Sequence, residues 1–297
     1  MGHVVFSPAK INLFLAVTGR RGTDGYHDLV SVAAPLDFGD EIEAGSRERG
    51  AGDQFTLECD QPEVPVDGTN LVLKAAQAFA TATGWPGGAH IRLTKRIPLG
   101  AGLGGGSSNA VAALRALNGL AGGVLPADRL AGIAATLGAD CPLFLADAPV
   151  VMRGRGERIE PLPAAAAARL HGRRVLLFKP SFAIGTAWAY DRMAREAPRH
   201  YLPAAAAEVR LAAWLKGSAP AEELLFNNME GVAFAKFTAL PVLVEKLRRK
   251  SGLAARMSGS GSACFALLGD GGVTAPVVAC IRECWGPAAF VQEARLL

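Results

Sequence analysis

The stretch Pro98-Leu99-Gly100-Ala101-Gly102-Leu103-Gly104-Gly105-Gly106-Ser107-Ser108, called the glycine loop below, decides the fold of this chain. Five of the seven residues 100–106 are glycine, and the apolar stripe of a helix follows at residues 111–117. Glycines leave backbone N–H groups free to surround an anion, and the N-terminus of the helix adds partial positive charge. The sequence therefore predicts a phosphate-binding loop. Ser107 and Ser108 are expected either to cap the helix or to reach a phosphate or Mg²⁺.

Two well-known kinds of glycine-rich loop do not fit this stretch. Gly100, Gly102 and Gly105 satisfy G-x-G-x-x-G, but a dinucleotide fold needs an acidic residue about 20 residues further on. Here that distance falls at the Gly122-Gly123 turn, and we interpret Asp128 as a helix cap. A P-loop is excluded because no lysine follows the glycines. The alternative to a phosphate site is a flexible connection with a serine cap.

Length and composition bound the class of protein. A chain of 297 residues suits two packed domains. The net charge of +4 and two short basic clusters, residues 169–174 and 246–250, give no reason to expect nucleic acid or a membrane as a partner. The first residues lack the pattern of a signal peptide or membrane span. The five cysteines lack zinc-site spacing and are interpreted as reduced thiols, so we expect a cytoplasmic protein.

Alternation and helical periodicity predict a mixture of strands and helices. Val4–Val17 is predicted to be a strand, and Asn70 and Gly84 are predicted to cap and end a helix between them. The alanine tracts at 164–168 and 204–207 fit either a helix or a loop. The other predicted strands are 30–35, 55–58, 90–93, 150–152, 175–178 and 264–268, and the other predicted helices are 128–137, 187–195, 205–215 and 240–250.

Three separated segments resemble one family of small-molecule kinases. Pro8–Leu13, the glycine loop and Met257–Ser262 occur in the order and at the spacing of the three motifs of the superfamily of galactokinase, homoserine kinase, mevalonate kinase and phosphomevalonate kinase. The resemblance implies ATP as co-substrate and an α+β fold of two domains. It implies an N-terminal ATP-binding domain similar to ribosomal protein S5 domain 2, for which we expect residues 1–155. A ferredoxin-like domain would follow at 156–297.

Further segments resemble one branch of that superfamily. Asp24-Gly25-Tyr26-His27, Leu117-Asn118 and Leu137–Pro142 are similar to the members that phosphorylate the 2-hydroxyl of a cytidine-diphosphate-linked methylerythritol. Cys141 stands where these kinases usually carry an aliphatic residue. Asn227–Glu230 is a looser form of their Asn-Asp-Leu-Glu.

The resemblance implies the catalytic residues. Asp140 matches the base for the accepting hydroxyl, and Lys10 matches its electrostatic partner. A nearby lysine favours the carboxylate form, and phosphoryl transfer depends more on positioning and charge stabilisation than on a strong base. Taken by themselves, Lys10 and Asn12 also fit a solvated strand face, and Asp140 also fits the N-cap of a short helix.

The resemblance also implies the binding residues. Tyr26 would stack on the cytosine, His27 would bond to its edge, and Tyr190, four residues after Thr186, would supply the second aromatic ring. The alternatives are an ordinary loop for the first two and helix packing for Tyr190. Substrate-binding residues are thus expected at Asn12, Tyr26, His27, Thr186 and Tyr190.

The nucleotide is expected to lie on the glycine loop, with further contacts from Asn70, Lys95 and Asn109. Each of these three also fits an ordinary role, as a helix cap, a strand charge and a polar helix residue. Met257–Ser262 either adds amides near the substrate phosphates, supports the glycine loop as a wall, or is a hairpin turn.

The function therefore has three candidates. The first is the cytidine-linked kinase, with Mg²⁺ expected beside the triphosphate although no carboxylate cluster indicates its ligands. The second is a sister kinase for homoserine or mevalonate, whose substrates have no base to stack on Tyr26. The third is a nucleotide-binding module without catalysis, against which the presence of both Lys10 and Asp140 argues. The oligomeric state stays open.

Overall fold

The computed structural model describes residues 2–47, 54–269, 271 and 274–297, and its backbone contacts divide into two units. Unit 1 consists of Met1–Ala9, Phe38–Ile97 and Gly104–Asp147, and unit 2 consists of Lys10–Asp37, Pro98–Leu103 and Ala148–Leu297. Strands β1 (His3–Arg20) and β2 (His27–Arg47) contribute residues to both units. The predicted domains at 1–155 and 156–297 stay a prediction.

Among its described residues, unit 1 contains three helices, a short 3-10 helix and part of a sheet. Strand β3 (Phe55–Cys59) runs parallel to β4 (Gly88–Thr94), and β4 pairs antiparallel with the second half of β2, with Ile42 opposite Leu93. The helices are α1 (Leu71–Thr83), α2 (Gly105–Leu120) and α3 (Ala127–Leu137), and the 3-10 helix is Cys141–Leu145.

Helix α1 forms as its sequence predicts. The side chain of Asn70 accepts a hydrogen bond from the backbone N–H of Val72, which satisfies one of the unpaired donors of the first turn. Gly84 ends the helix with a φ of 64°, a conformation that glycine adopts at little cost. The buried face includes Val72 and Phe79, whose spacing follows the helical period.

Unit 2 contains two groups of strands. In the first, β5 (Val150–Gly154) pairs with the first half of β2 and with β6 (Arg158–Pro161), while β1 pairs in parallel with β8 (Phe226–Asn227). The second is a four-stranded antiparallel sheet in the order β11-β7-β10-β9. Its strands are β7 (Arg174–Lys179), β9 (Ala255–Met257), β10 (Cys264–Leu268) and β11 (Phe290–Arg295).

In the described part of unit 2, seven helices accompany these strands: α4 (Ala164–Ala168), α5 (Thr186–Arg195), α6 (Ala204–Lys216), α7 (Ala221–Leu224), α8 (Glu230–Lys236), α9 (Ala239–Ser251) and α10 (Ala275–Trp285). Both alanine tracts are therefore helical, as expected from the high helix propensity of alanine. Among the described residues, no helix is both long and apolar enough to cross a membrane.

The structure confirms the predicted mixture of α and β, and it corrects two details. Asp128 does not cap α3, because the cap position is Pro126. Asp128 lies in the first turn, where its negative charge interacts favourably with the positive end of the helix dipole. The elements without a counterpart among the predicted ones include β6, β8, β9, β11, α7, α8 and α10.

Candidate active site

The glycine loop depends on left-handed backbone conformations. Gly100, Gly102 and Gly104 have φ values of 57°, 75° and 74°, in a region that other residues rarely adopt. Helix α2 begins at Gly105, directly after the last of these turns. Its first amides therefore lack intrahelical partners and sit where the helix dipole favours an anion.

The serines at the end of the loop do not cap this helix. The cap position is Gly104, which has no side chain to bond to the first-turn amides. The serine-cap interpretation is therefore wrong. The buried hydroxyl of Ser108 accepts a hydrogen bond from Ser7 Oγ at 2.8 Å. Ser107 contributes a hydrogen bond to the Cys141 thiol.

The first half of the glycine loop packs against Met257–Ser262, which is called the late loop below. A Cβ atom at Gly102 would lie 2.2 Å from the carbonyl oxygen of Ser258. Ser258 Oγ donates to the Gly102 carbonyl at 3.0 Å, and the Ala263 N–H donates to Ala101 at 3.0 Å. Met257–Ser262 connects β9 to β10, so it is a hairpin turn and also a wall behind the glycine loop. Its contact with substrate phosphates stays a prediction.

Lys10 and Asn12 lie on one face of β1 within a buried chain of hydrogen bonds. Lys10 Nζ donates to Asn12 Oδ1 at 2.6 Å, and Asn12 Nδ2 donates to Ser31 Oγ at 2.9 Å. Ser31 in turn donates to the Phe14 carbonyl. The lysine is only 4% exposed, so the solvated-face interpretation is wrong. The Lys10 N–H also donates to the Leu103 carbonyl of the glycine loop at 3.0 Å.

A second buried cluster, in unit 1, centres on Asp40. One carboxylate oxygen accepts from the backbone N–H groups of Arg96 and Ile97 at 2.6 and 2.8 Å. The other accepts from Asn109 Nδ2 at 2.8 Å and from the ammonium group of Lys95. Lys95 and Asn109 therefore face a carboxylate of the protein itself, and their contact with a nucleotide stays a prediction.

Sequence reasoning missed Asp40, although a signal was available. Along β2, Asp40 alternates in phase with the buried residues Ile42 and Ala44. A carboxylate on the apolar face of a strand requires partners, because burying an unpaired charge is costly. Asn70 has a similar local role, since its amide both caps α1 and donates to the Pro65 carbonyl at 2.7 Å. Its nucleotide contact also stays a prediction.

Asp140 occupies the N-cap position of the 3-10 helix, as one interpretation predicted, but its side chain makes no capping bond. The neighbouring Cys141 is buried, and burial raises the pKa of its thiol to about 11, with a smaller contribution from the Asp140 charge. The thiol is therefore neutral near pH 7. Cys141 consequently packs as a small apolar residue, as the aliphatic residue it replaces would.

The aromatic residues of unit 2 meet around His27. Its ring centroid lies 4.8 Å from that of Tyr190 and 5.8 Å from that of Tyr201. Burial and the charge of Arg20 lower the pKa of His27, which is therefore neutral at pH 7. The structure thus brings together two of the predicted substrate residues, and Tyr201 joins them without any motif that could have indicated it.

Tyr26 differs from this group because its side chain is exposed. It is 58% exposed, and the guanidinium carbon of Arg155 lies 4.9 Å from its ring centroid. Thr186, at the start of α5, shares a hydrogen bond of 2.9 Å with Ser260 Oγ. Thr186 is therefore hydrogen-bonded to the late loop, and its contact with a substrate stays a prediction.

The segment Asn227–Glu230 holds the late loop in place. Asn227 Nδ2 donates to the carbonyl groups of Met257 and Gly259, each at 2.8 Å. Glu230 accepts from the Met257 N–H at 2.8 Å, and burial raises the pKa of its carboxyl to about 7. The looser motif noted in the sequence therefore has a structural role.

Family models match both halves of the chain. The model described as "GHMP kinases N terminal domain" matches residues 70–155, and "GHMP kinases C terminal" matches residues 215–284. A 4-diphosphocytidyl-2-C-methyl-D-erythritol kinase of Synechococcus sp. (strain CC9902) is 39% identical, covering 90% of this chain and 87% of the relative. The kinase of the same name from Chlorobium phaeobacteroides (strain BS1) is also 39% identical, covering 99% and 95%.

Solved structures show the same fold. A crystal structure of 4-(cytidine 5'-diphospho)-2C-methyl-D-erythritol kinase has a TM-score of 0.75 at 35% identity, covering 99% of each chain. A homoserine kinase from Cytophaga hutchinsonii has a TM-score of 0.77 at 18% identity, covering 99% of this chain and 95% of its own. The second similarity concerns the fold alone.

The close approach at Gly102 generates a prediction about stability. Gly102→Ala places a Cβ against the Ser258 carbonyl at a positive φ, and we expect a loss of about 3 kcal/mol in the free energy of unfolding. Gly106→Ala is the matched control, because its Cβ meets only Leu71 at 3.8 Å in a helical conformation. Its unfolding free energy should rise by about 0.5 kcal/mol. Equal stabilities in urea denaturation would contradict the described packing.

The raised pKa of Glu230 generates a prediction about pH. The carboxyl has a reference pKa of 4.5 and titrates near 7 in the folded protein, so its stabilising effect is present below pH 4.5 and is lost as the pH rises to 7. Glu230→Gln keeps the acceptor oxygen and removes the titration. Relative to wild type, the free energy of unfolding of this variant should rise by roughly 2 kcal/mol between pH 5 and pH 8. Melting temperatures at both pH values test this, with the exposed Glu223→Gln as control. Parallel profiles for Glu230→Gln and wild type would refute it.

Proposed function

The chain belongs to the GHMP kinase family, within the branch of the 4-diphosphocytidyl-2-C-methyl-D-erythritol kinases, and from this premise we propose the reaction that it catalyses. It transfers the γ-phosphoryl group of ATP to the 2-hydroxyl of 4-diphosphocytidyl-2-C-methyl-D-erythritol, a step in the formation of isoprenoid precursors. The observation that carries the proposal is the high identity to kinases of this one name along nearly the whole chain.

The cytidine group is assigned to the aromatic residues of unit 2. An exposed ring at Tyr26 offers a face for a base to stack upon, and the adjacent pair of His27 and Tyr190 supplies a polar edge and a second ring. Homoserine and mevalonate have no base that such rings could bind. These side chains therefore favour a nucleotide-linked substrate over the substrates of the sister kinases.

The triphosphate of ATP is assigned to the amides of the glycine loop and the first turn of α2. The left-handed glycines and the positive end of the helix dipole support this assignment. Asn70, Lys95 and Asn109 would lie near the nucleotide. Within the described ranges no group of three carboxylate, histidine or cysteine side chains could hold a metal ion. Mg²⁺ would therefore take most ligands from phosphate oxygens and water, with Ser107 rather than Ser108 as a hydroxyl ligand, because the Ser108 hydroxyl is buried against Ser7.

The chemistry is assigned to Asp140 and Lys10. Asp140 accepts the proton of the 2-hydroxyl while the oxygen of that hydroxyl forms a bond to the γ-phosphorus. The bond between that phosphorus and the β–γ bridging oxygen breaks, and ADP leaves with the electron pair. Lys10 stabilises the charge on the transferred group, as a positively charged side chain does in a loose transition state. The hydrogen bond to Asn12 supports this role because it orients the lysine.

A comparison of acceptors tests the proposed function. ADP formation is measured with the cytidine-linked substrate, homoserine and mevalonate in parallel. We expect turnover with the first alone, because only that acceptor has a base for the aromatic rings. Turnover with homoserine or mevalonate instead would remove the assignment to this branch while leaving an ATP-dependent kinase. Absence of turnover with all three would favour a nucleotide-binding module.

Substitution of the proposed base tests the mechanism. Asp140→Asn should lower kcat about a hundredfold or more, since general base catalysis is lost, while the Kd for ATP changes little. Asp147→Asn is the matched control, because this exposed aspartate pairs only with Arg115 in the contacts described and should keep its turnover. Unchanged kcat in Asp140→Asn would refute the assignment of the base.

A further inference from the structure

Tyr201 makes a hydrogen bond that no sequence motif indicates. Its hydroxyl lies 2.9 Å from Nε2 of His27, and the two rings are 5.8 Å apart. The backbone on either side is anchored, because the Leu202 N–H donates to the Val17 carbonyl at 3.2 Å and Asn228 Nδ2 donates to the His200 carbonyl at 2.9 Å. The hydroxyl of Tyr201 is therefore held against one particular nitrogen of the histidine.

This bond sets the tautomer of His27. A neutral imidazole carries a hydrogen on one ring nitrogen and a lone pair on the other. An imidazole lone pair is a better acceptor than a phenol oxygen, and a phenol O–H is a better donor than a neutral imidazole N–H. Tyr201 is consequently the donor and Nε2 the acceptor. The hydrogen of His27 then resides on Nδ1.

The electrostatic surroundings agree with this arrangement. Burial and the charge of Arg20 lower the pKa of His27, which keeps the ring neutral at pH 7. Burial raises the pKa of Tyr201, which keeps its hydroxyl protonated and able to donate. Because the buried ring is flanked by Tyr190 and Tyr201, the histidine has few alternative orientations.

A histidine of fixed tautomer distinguishes bases by their edges. Cytosine presents a lone pair at ring nitrogen 3, whereas uracil presents an N–H at the same place. An N–H donor at Nδ1 pairs with the lone pair of cytosine, whereas it meets a second donor in the N–H of uracil. We propose that Tyr201 is a positioning residue that holds His27 in the Nδ1–H tautomer and so makes the site select cytosine over uracil. This inference rests on the proposed function, in which His27 binds the base.

The kinetic test compares two substrates that differ only in the base. The ratio of kcat/KM for the cytidine-linked methylerythritol to that for its uridine-linked analogue is measured in wild type and in Tyr201→Phe. The phenylalanine keeps the ring and removes the donor, so His27 can change tautomer and accept from uracil. We expect the ratio to fall about tenfold, while the KM for ATP stays unchanged.

The control for this test is His200→Gln. It replaces the ring of His200, which contacts Glu196 at 2.8 Å in the same segment, without touching His27, and its ratio should equal that of wild type. A wild-type ratio in Tyr201→Phe would overturn the inference, and so would an equal fall in both variants. A wild type that does not phosphorylate the cytidine-linked substrate would remove the proposed function and base selection with it.

Nitrogen NMR of the histidine-labelled wild type decides the tautomer independently of substrate and of any variant. We expect the signals of His27 to show a protonated Nδ1 and an unprotonated Nε2. A hydrogen on Nε2 would overturn the inference whatever the kinetics show.

Discussion

The hydrogen bonds of the buried Asp40 carboxylate join the segments that flank the glycine loop. Its oxygens accept from Lys95, Arg96 and Ile97, which precede the loop, and from Asn109, which follows it. Burying a carboxylate is costly unless its oxygens are paired, so these four donors are held together around Asp40 in unit 1. The amides proposed to bind the triphosphate lie between those two segments.

Local features of the sequence predicted a large part of this structure. The cap at Asn70, the end of α1 at Gly84 and the left-handed turns of the glycine loop follow from the conformational preferences of neighbouring residues. Alternation likewise identified β1 and the polar face that carries Lys10. Such features depend on few residues that are close in sequence, and they were therefore visible without a fold.

The remaining features depend on residues that are distant in sequence. Asp40 meets donors more than fifty residues away, and Tyr201 meets a histidine 174 residues earlier. The approach of Gly102 to Ser258 likewise joins the first third of the chain to its last part. Short strands such as β9 carry too few residues for a pattern and form because β10 pairs with them. The fold itself is shared with a homoserine kinase, so the fold alone does not decide the substrate. The proposed function assigns that choice to side chains such as His27 and Tyr190, whose rings lie 4.8 Å apart.

Transfer of the phosphoryl group can be followed directly. ATP labelled in its γ-phosphoryl group is incubated with the chain and the cytidine-linked methylerythritol, and the product is analysed by phosphorus NMR. The proposed reaction requires the label in a new phosphomonoester at the 2-hydroxyl, with one ADP formed for each product and the diphosphate link intact. Label at another hydroxyl, or label released as inorganic phosphate with the substrate unchanged, would contradict it.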